Sequence, residues 1–204
     1  SRMLHALRTF VFLLVILILA FPIGAANPSI AIAQDDTRIP RFYIPVDGLG
    51  EGILSGDNSP YHNNADDYAL DYYYYDQSPQ TDHEGQPYLP TQGMTIWPTL
   101  PGRVVFSGYD QDYGYVVVLR HMDYSKWDKI YYSVYAHLEA KGRPRVGQLL
   151  SANTPVGGMD MTGDGGNDVV HLHFAVRSSD VMMTGTDALY GVNQSPFDVR
   201  PYMW

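Results

Sequence analysis

From Gly102 onward, β-branched and aromatic residues come in short runs punctuated by Gly, Asp and Asn, and each run reads as a strand. Arg103–Ser107 is the first, and after Gly108-Tyr-Asp the segment Gln111–Gly114 supplies a turn. Tyr115–Arg120, Ile130–His137 and Val169–Arg177 continue the pattern. After position 34 no long stretch carries apolar residues at helical spacing, and no segment repeats. The chain is therefore expected to be mostly β, an antiparallel β-sheet domain with a groove across one sheet. Alternate residues of a strand share a face. His171 and His173 should thus project side by side, and Ser133, Tyr135 and His137 should share a face. Between Asp71 and Gly93 a strand-like start, Tyr72-Tyr-Tyr-Tyr75, passes into polar sequence. This segment reads either as a surface loop that starts as a strand or, together with the Lys126–Lys129 region, as a wall of the groove.

The first 33 residues differ in kind. Arg2 and Arg8 flank the start of the apolar stretch Phe10–Phe21, and Ala31-Ile-Ala33 offers a small-x-small cleavage site. This order predicts a secretory signal peptide, or the same segment retained as a membrane anchor. Either one places the remainder beyond a membrane. Residues 34–58, with closely spaced Pro, Gly, Asp and Ser, read as an extended leader, and residues 59–204 as the folded domain.

Beyond Ala33 lie all 22 acidic residues and 11 of the 13 basic ones, a formal charge of −11. A nucleic-acid partner is disfavoured, because phosphate neutralisation needs clustered Lys and Arg. The absence of cysteine excludes disulfides and thiol catalysis, so stability must come from the core or from a metal. Seventeen tyrosines against seven phenylalanines suggest amphipathic surfaces suited to sugars or peptides.

Of the seven histidines, His5 lies in the N-terminal segment and His83 in a polar loop, while His121 ends a strand where a turn or core role is expected. His62, His137, His171 and His173 remain. His62 sits in a turn-rich run before Asp71, itself embedded in Tyr68-Ala-Leu-Asp-Tyr72. A carboxylate among such neighbours is costly to bury unless it is paired or metal-bound.

The order of these motifs resembles the lysostaphin/LytM-type zinc metallopeptidases of the M23 family. His62, Asp71, Gly102–Tyr109, Tyr113–Val118, Tyr135-Ala-His-Leu138 and His171-Leu-His-Phe174 follow the family's sequence of motifs. Val146–Leu150, Pro155–Gly158, Met161–Gly165 and Phe197–Tyr202 resemble its remaining segments. The resemblance implies a secreted zinc endopeptidase acting on peptidoglycan peptides, with Zn²⁺ held by His62, Asp71 and His173. It makes His137 and His171 the catalytic pair. Two neutral imidazoles and one carboxylate leave zinc an open fourth position, where a bound water becomes a nucleophile. The two unligated histidines can then move protons and steady the oxyanion. The family's commonest spacing from its first His lands on Asp66, whereas the flanking apolar and aromatic residues fit Asp71; Asp71 is preferred and Asp66 is the alternative. A non-catalytic member of the same fold, binding peptidoglycan or activating a separate hydrolase, is the alternative function. A charge of −11 would be repelled by anionic wall polymers.

Overall fold

The computed structural model describes residues 39–48, 53–56, 62, 66–74, 78–81, 84–121, 126–166 and 169–204. All belong to one compact unit, Asp36–Trp204. The N-terminal apolar segment, its cleavage site, His5 and His83 lie outside the described residues. Among the described residues no helix is long and apolar enough to cross a membrane.

The runs of β-branched and aromatic residues form the long strands. In chain order the strands are β1 Ile53–Gly56, β2 Leu70–Tyr74, β3 Gln80–Thr81, β4 Pro87–Tyr88, β5 Thr95–Ile96 and β6 Gly102–Asp110. There follow β7 Gly114–His121, β8 Ile130–Leu138, β9 Leu149–Leu150, β10 Gly157–Gly158, β11 His171–Ser179 and β12 Ser195–Pro196. Among the described residues an α-helix, α1, covers Gly185–Leu189. The main sheet is ordered β1-β2-β11-β8-β7-β6-β9, with β12 also paired to β11. Its pairings are antiparallel throughout, so the expected mostly β, antiparallel architecture is what the chain adopts.

Alternation along the central strands sends side chains into two apolar clusters, one on each face. Leu70, Tyr72, Val117, Leu119, Tyr131, Tyr135, Leu172, Phe174 and Val176 belong to the larger. Val116, Val118, Tyr132, Val134, Ala136 and Ala175 belong to the smaller, which Ala188 and Leu189 of α1 help to close. A strand sandwiched in this way has its register fixed, because a slip of one residue would exchange the two faces. The polar residues on the face of Ala175 are thereby placed as firmly as the apolar ones.

Two expectations are corrected. Part of the segment read as a leader is integral to the domain. Phe42 is fully buried in the larger cluster, where Ile39, Ile44 and Val46 also pack. Its N–H donates to Tyr202 O at 2.9 Å and its carbonyl accepts from Trp204 N at 3.1 Å. β1 pairs with β2 at the sheet edge. The alternation of Phe42, Ile44 and Val46 carries this role, and Pro45 within it hides the strand-like period. The Lys126–Lys129 region precedes Ile130, at the opposite end of β8 from His137. At about 3.3 Å per residue that is on the order of 20 Å from the histidine, so these lysines do not wall its surroundings.

Candidate metal centre

Leu70 and Tyr72 enter the larger cluster, which turns Asp71 to the other face of β2. Leu172 and Phe174 do the same on β11, leaving His171 and His173 on that face too. The antiparallel register sets His173 directly opposite Asp71, and side chains of such a pair are within contact. His173 Nδ1 lies 3.3 Å from Asp71 Oδ1. His62, approaching from before β2, places Nε2 3.3 Å from Oδ1 and 3.2 Å from Oδ2 of the same carboxylate. One donor atom from each of His62, Asp71 and His173 lies within 4.8 Å of the other two. The rest of the tyrosine run divides by the same alternation: Tyr72 is a core residue and not the groove wall expected, while Tyr73 shares Asp71's face.

This donor set fits zinc. Ligand atoms about 2.0–2.1 Å from a tetrahedral ion lie about 3.3 Å from one another, which is the separation between Asp71 and each imidazole here. The other ring nitrogens, His62 Nδ1 and His173 Nε2, are buried and turned away from these donor atoms, with Asp66 Oδ2 3.5 Å from the latter. Charge favours a cation as well. Burial would push His173 down, but Asp66 and Asp71 outweigh it and raise its pKa to about 9. Burial would likewise raise Asp71, yet His173 and His62 hold its carboxyl well below the usual range. A site that concentrates negative charge on two imidazoles competes for a metal ion as it does for a proton.

His137 reaches the cluster by a route that alternation alone does not give. Strict alternation would send it with Ser133 and Tyr135 toward the larger cluster. Between the pairs Tyr115–Leu138 and Val117–Tyr135 the register shifts, so that Ala136 and His137 together face the single residue Val116. His137 takes the extra position with φ = 57°, a left-handed conformation costing a non-glycine residue on the order of 1 kcal/mol. Leu138 then fills the larger cluster and the imidazole turns to the histidine face. Its ring centroid is 4.5 Å from that of His171 and 6.0 Å from that of His173. The expectation that His137 shares a face with Ser133 and Tyr135 is therefore wrong, and the bulge is the reason.

His137 and His171 are held alike. His137 Nδ1 is 2.7 Å from Thr162 O and His171 Nδ1 is 2.9 Å from Val169 O. A carbonyl oxygen only accepts, so in each ring Nδ1 carries the hydrogen and Nε2 keeps its lone pair. Burial, joined by the neighbouring histidines, depresses the pKa of His137 to about 3. Burial also lowers that of His171. Both are neutral bases at physiological pH.

The sequence profile of Peptidase family M23 matches residues 81–185, just over half of the chain. The chain belongs to Peptidase family M23. Solved structures of similar fold include a zinc-containing peptidase from Vibrio cholerae, 22% identical over 68% of this chain and 37% of that one, with a TM-score of 0.42. A mutant catalytic domain of the prophage-encoded M23 protein EnpA from Enterococcus faecalis is 17% identical over 64% of this chain and 84% of its own, TM-score 0.42. Csd3 from Helicobacter pylori is 20% identical over 78% and 35%, TM-score 0.41. The chain thus spans little more than a third of the Vibrio and Helicobacter chains. No curated protein matches it significantly. The M23 match takes in His137, His171 and His173 but not His62 and Asp71, which join them through the register of β2 and the approach of His62.

Asp66, the alternative carboxylate, lies on the other side of His173 from Asp71, with Oδ2 3.5 Å from His173 Nε2. Sequence reasoning missed its other partners, Tyr113 and Arg177. The one available signal was parity: Arg177 follows His173 by four residues and so shares its face, although in a strand run ending at Arg177 it reads as a solvent-facing terminus.

Proposed function

We propose that the chain is an exported zinc-dependent endopeptidase that hydrolyses peptide bonds of bacterial peptidoglycan. The observation that carries this reading is the convergence of His62 Nε2, Asp71 Oδ1 and His173 Nδ1 beside two further imidazoles fixed by backbone carbonyls. His62, Asp71 and His173 would hold the ion. Bound there, zinc would supply an acidified water and a polarised scissile carbonyl. His137 and His171, neutral and with Nε2 lone pairs available, accept the proton of the attacking water. The imidazolium so formed stabilises the developing oxyanion and returns its proton to the departing amine. Membership of Peptidase family M23 supports the peptide bond as the target. The apolar segment Phe10–Phe21 with its basic flank supports export.

The test is mass spectrometry of purified peptidoglycan digested by the zinc-loaded full chain, with H171A alongside. New peptide termini with the unaltered chain and none with H171A are expected. Absence of products over several wall chemistries, despite bound zinc, would instead favour a non-catalytic member of the fold.

A further inference from the structure

Arg177 is fully buried, and a buried guanidinium must be paired and hydrogen-bonded to be tolerated. Its Nη2 donates to Asp66 Oδ1 at 2.6 Å. Its Nη1 donates to the carbonyl of Leu189, and at 3.4 Å to that of Ala188, at the end of α1. The Tyr113 hydroxyl donates to Asp66 Oδ2, and the Tyr113 ring packs 5.6 Å from that of His173. Asp66 is thus clamped by two donors from β11 and the β6–β7 turn, and its Oδ2 also faces His173 Nε2 at 3.5 Å. The two carboxylates therefore address opposite edges of one imidazole, Asp71 at Nδ1 and Asp66 at Nε2.

An imidazole that binds a metal through Nδ1 must carry its hydrogen on Nε2, and an acceptor there fixes both tautomer and ring angle. The ligand cluster already faces Nδ1, and Asp66 is committed to Arg177 and Tyr113. Resting on the zinc reading of His62, Asp71 and His173, the geometry points to Asp66 as the positioning residue of the centre. Anchored by Arg177 and Tyr113, its carboxylate accepts the Nε2 hydrogen of His173 and so presents Nδ1 to the ion. Asp66 is then not a ligand, and the structural line His173–Asp66–Arg177–α1 ties the metal centre to the C-terminal helix.

The experiment is zinc affinity of the full chain, by competition with a chromogenic chelator, for the unaltered protein, D66N, D66E and D71N. Cobalt absorption spectra are recorded on the same set. D66N should weaken zinc about 10–100-fold while keeping a four-coordinate cobalt spectrum, D66E should recover part of the loss, and D71N should abolish binding. Unchanged zinc affinity in folded D66N overturns the proposal, as does loss of zinc and of the cobalt spectrum as complete as in D71N, which would make Asp66 a ligand. D66N leaves Arg177 buried without its partner, so the double variant D66A/R177M, which removes the charge pair together, is measured too. It should show the same weakening, and tight binding in it again overturns the proposal. Nitrogen NMR of the unaltered zinc-loaded chain decides independently of any variant: metal on Nδ1 and hydrogen on Nε2 of His173 are expected, and the reverse tautomer refutes the assignment. An unaltered chain that binds no zinc fails the metal reading itself and this proposal with it. Zinc bound equally by wild type and D66N fails this proposal alone.

Discussion

His137, His171 and His121 meet burial in the same way, with Nδ1 set against a backbone carbonyl, but they differ in what faces Nε2. At the candidate metal centre the first two keep Nε2 free of that carbonyl, and Nε2 of His171 lies 4.0 Å from Asp71 Oδ1. In the larger core His121 places Nδ1 3.2 Å from Pro101 O and Nε2 2.9 Å from Ser133 Oγ, and among the described residues neither nitrogen pairs with a carboxylate. Burial accordingly lowers its pKa from 6.5 to about 4. The unfolded chain therefore binds a proton at this residue between those two values when the folded chain does not, so stability rises with pH across the window. The contribution is complete above about pH 6.5 and is lost as pH falls toward 4, below which both states are protonated. At about 1.4 kcal/mol per pH unit, this loss is on the order of 3 kcal/mol. Urea unfolding of the wild type and H121Q at pH 7, 5.5 and 4.5, in chelator, should show the H121Q curve flatter by that amount. Parallel curves for the two proteins would show that His121 is not the group responsible.

At the scale of the element, the β6–β7 turn orders the centre. Asp110 Oδ1 accepts from the backbone N–H of Asp112 and Tyr113, each at 3.0 Å, and Gly114 completes the turn at φ = 63°. A Cβ on Gly114 would lie 2.2 Å from Thr162 O, the carbonyl that holds His137. Thr162 Oγ1 also accepts from Tyr115 N and donates to Leu138 O, so turn, loop and bulge form one unit. G114A should therefore cost roughly 2–4 kcal/mol through backbone strain and overpacking. By displacing the acceptor of His137 it should reduce peptidase activity about 100-fold, with zinc content unchanged. Melting curves, turnover and metal analysis check this, and a stable G114A of normal turnover would break the link. The same unit shows where the sequence stops being legible. The faces of β2 and β11 could be read from Leu70–Tyr72 and His171–Phe174, because period 2 is local and the apolar partners are strong. The turn of His137 could not, because it depends on two residues of β8 facing one of β7, a pairing no single strand encodes. Asp66 looked like a loop acid because its partners are 47 and 111 residues away.

Across the whole molecule, the two faces of the sheet divide the labour. The side chains of the candidate metal centre occupy the face of the smaller cluster, while the larger is closed by the segment around Phe42 and by the C-terminal residues. Phe42 bridges in parallel to Met203, and Ile44 N donates to Trp204 O at 3.4 Å. The Phe42 ring packs edge-on to Tyr131, 5.7 Å between centroids, and against Phe197 at 6.0 Å. A strand sheet with one face uncovered would lose the burial that fixes its register, so this clasp underwrites the alignment of Asp71 with His173 without touching either. F42A should destabilise the fold by about 3–5 kcal/mol, the usual cost of emptying a buried aromatic site. In a domain of this size that lowers the melting temperature by roughly 10 °C. Melting must be followed in chelator, since zinc bound only by the folded state would itself raise the midpoint. Well below the transition, the folded F42A chain should bind zinc within about threefold of wild type, because no ligand has moved. An unchanged melting temperature would deny the N-terminal segment its place in the core. Unfolding as expected but with zinc affinity lost in the folded state would mean that the clasp sets the β2–β11 register continuously and not only through overall stability.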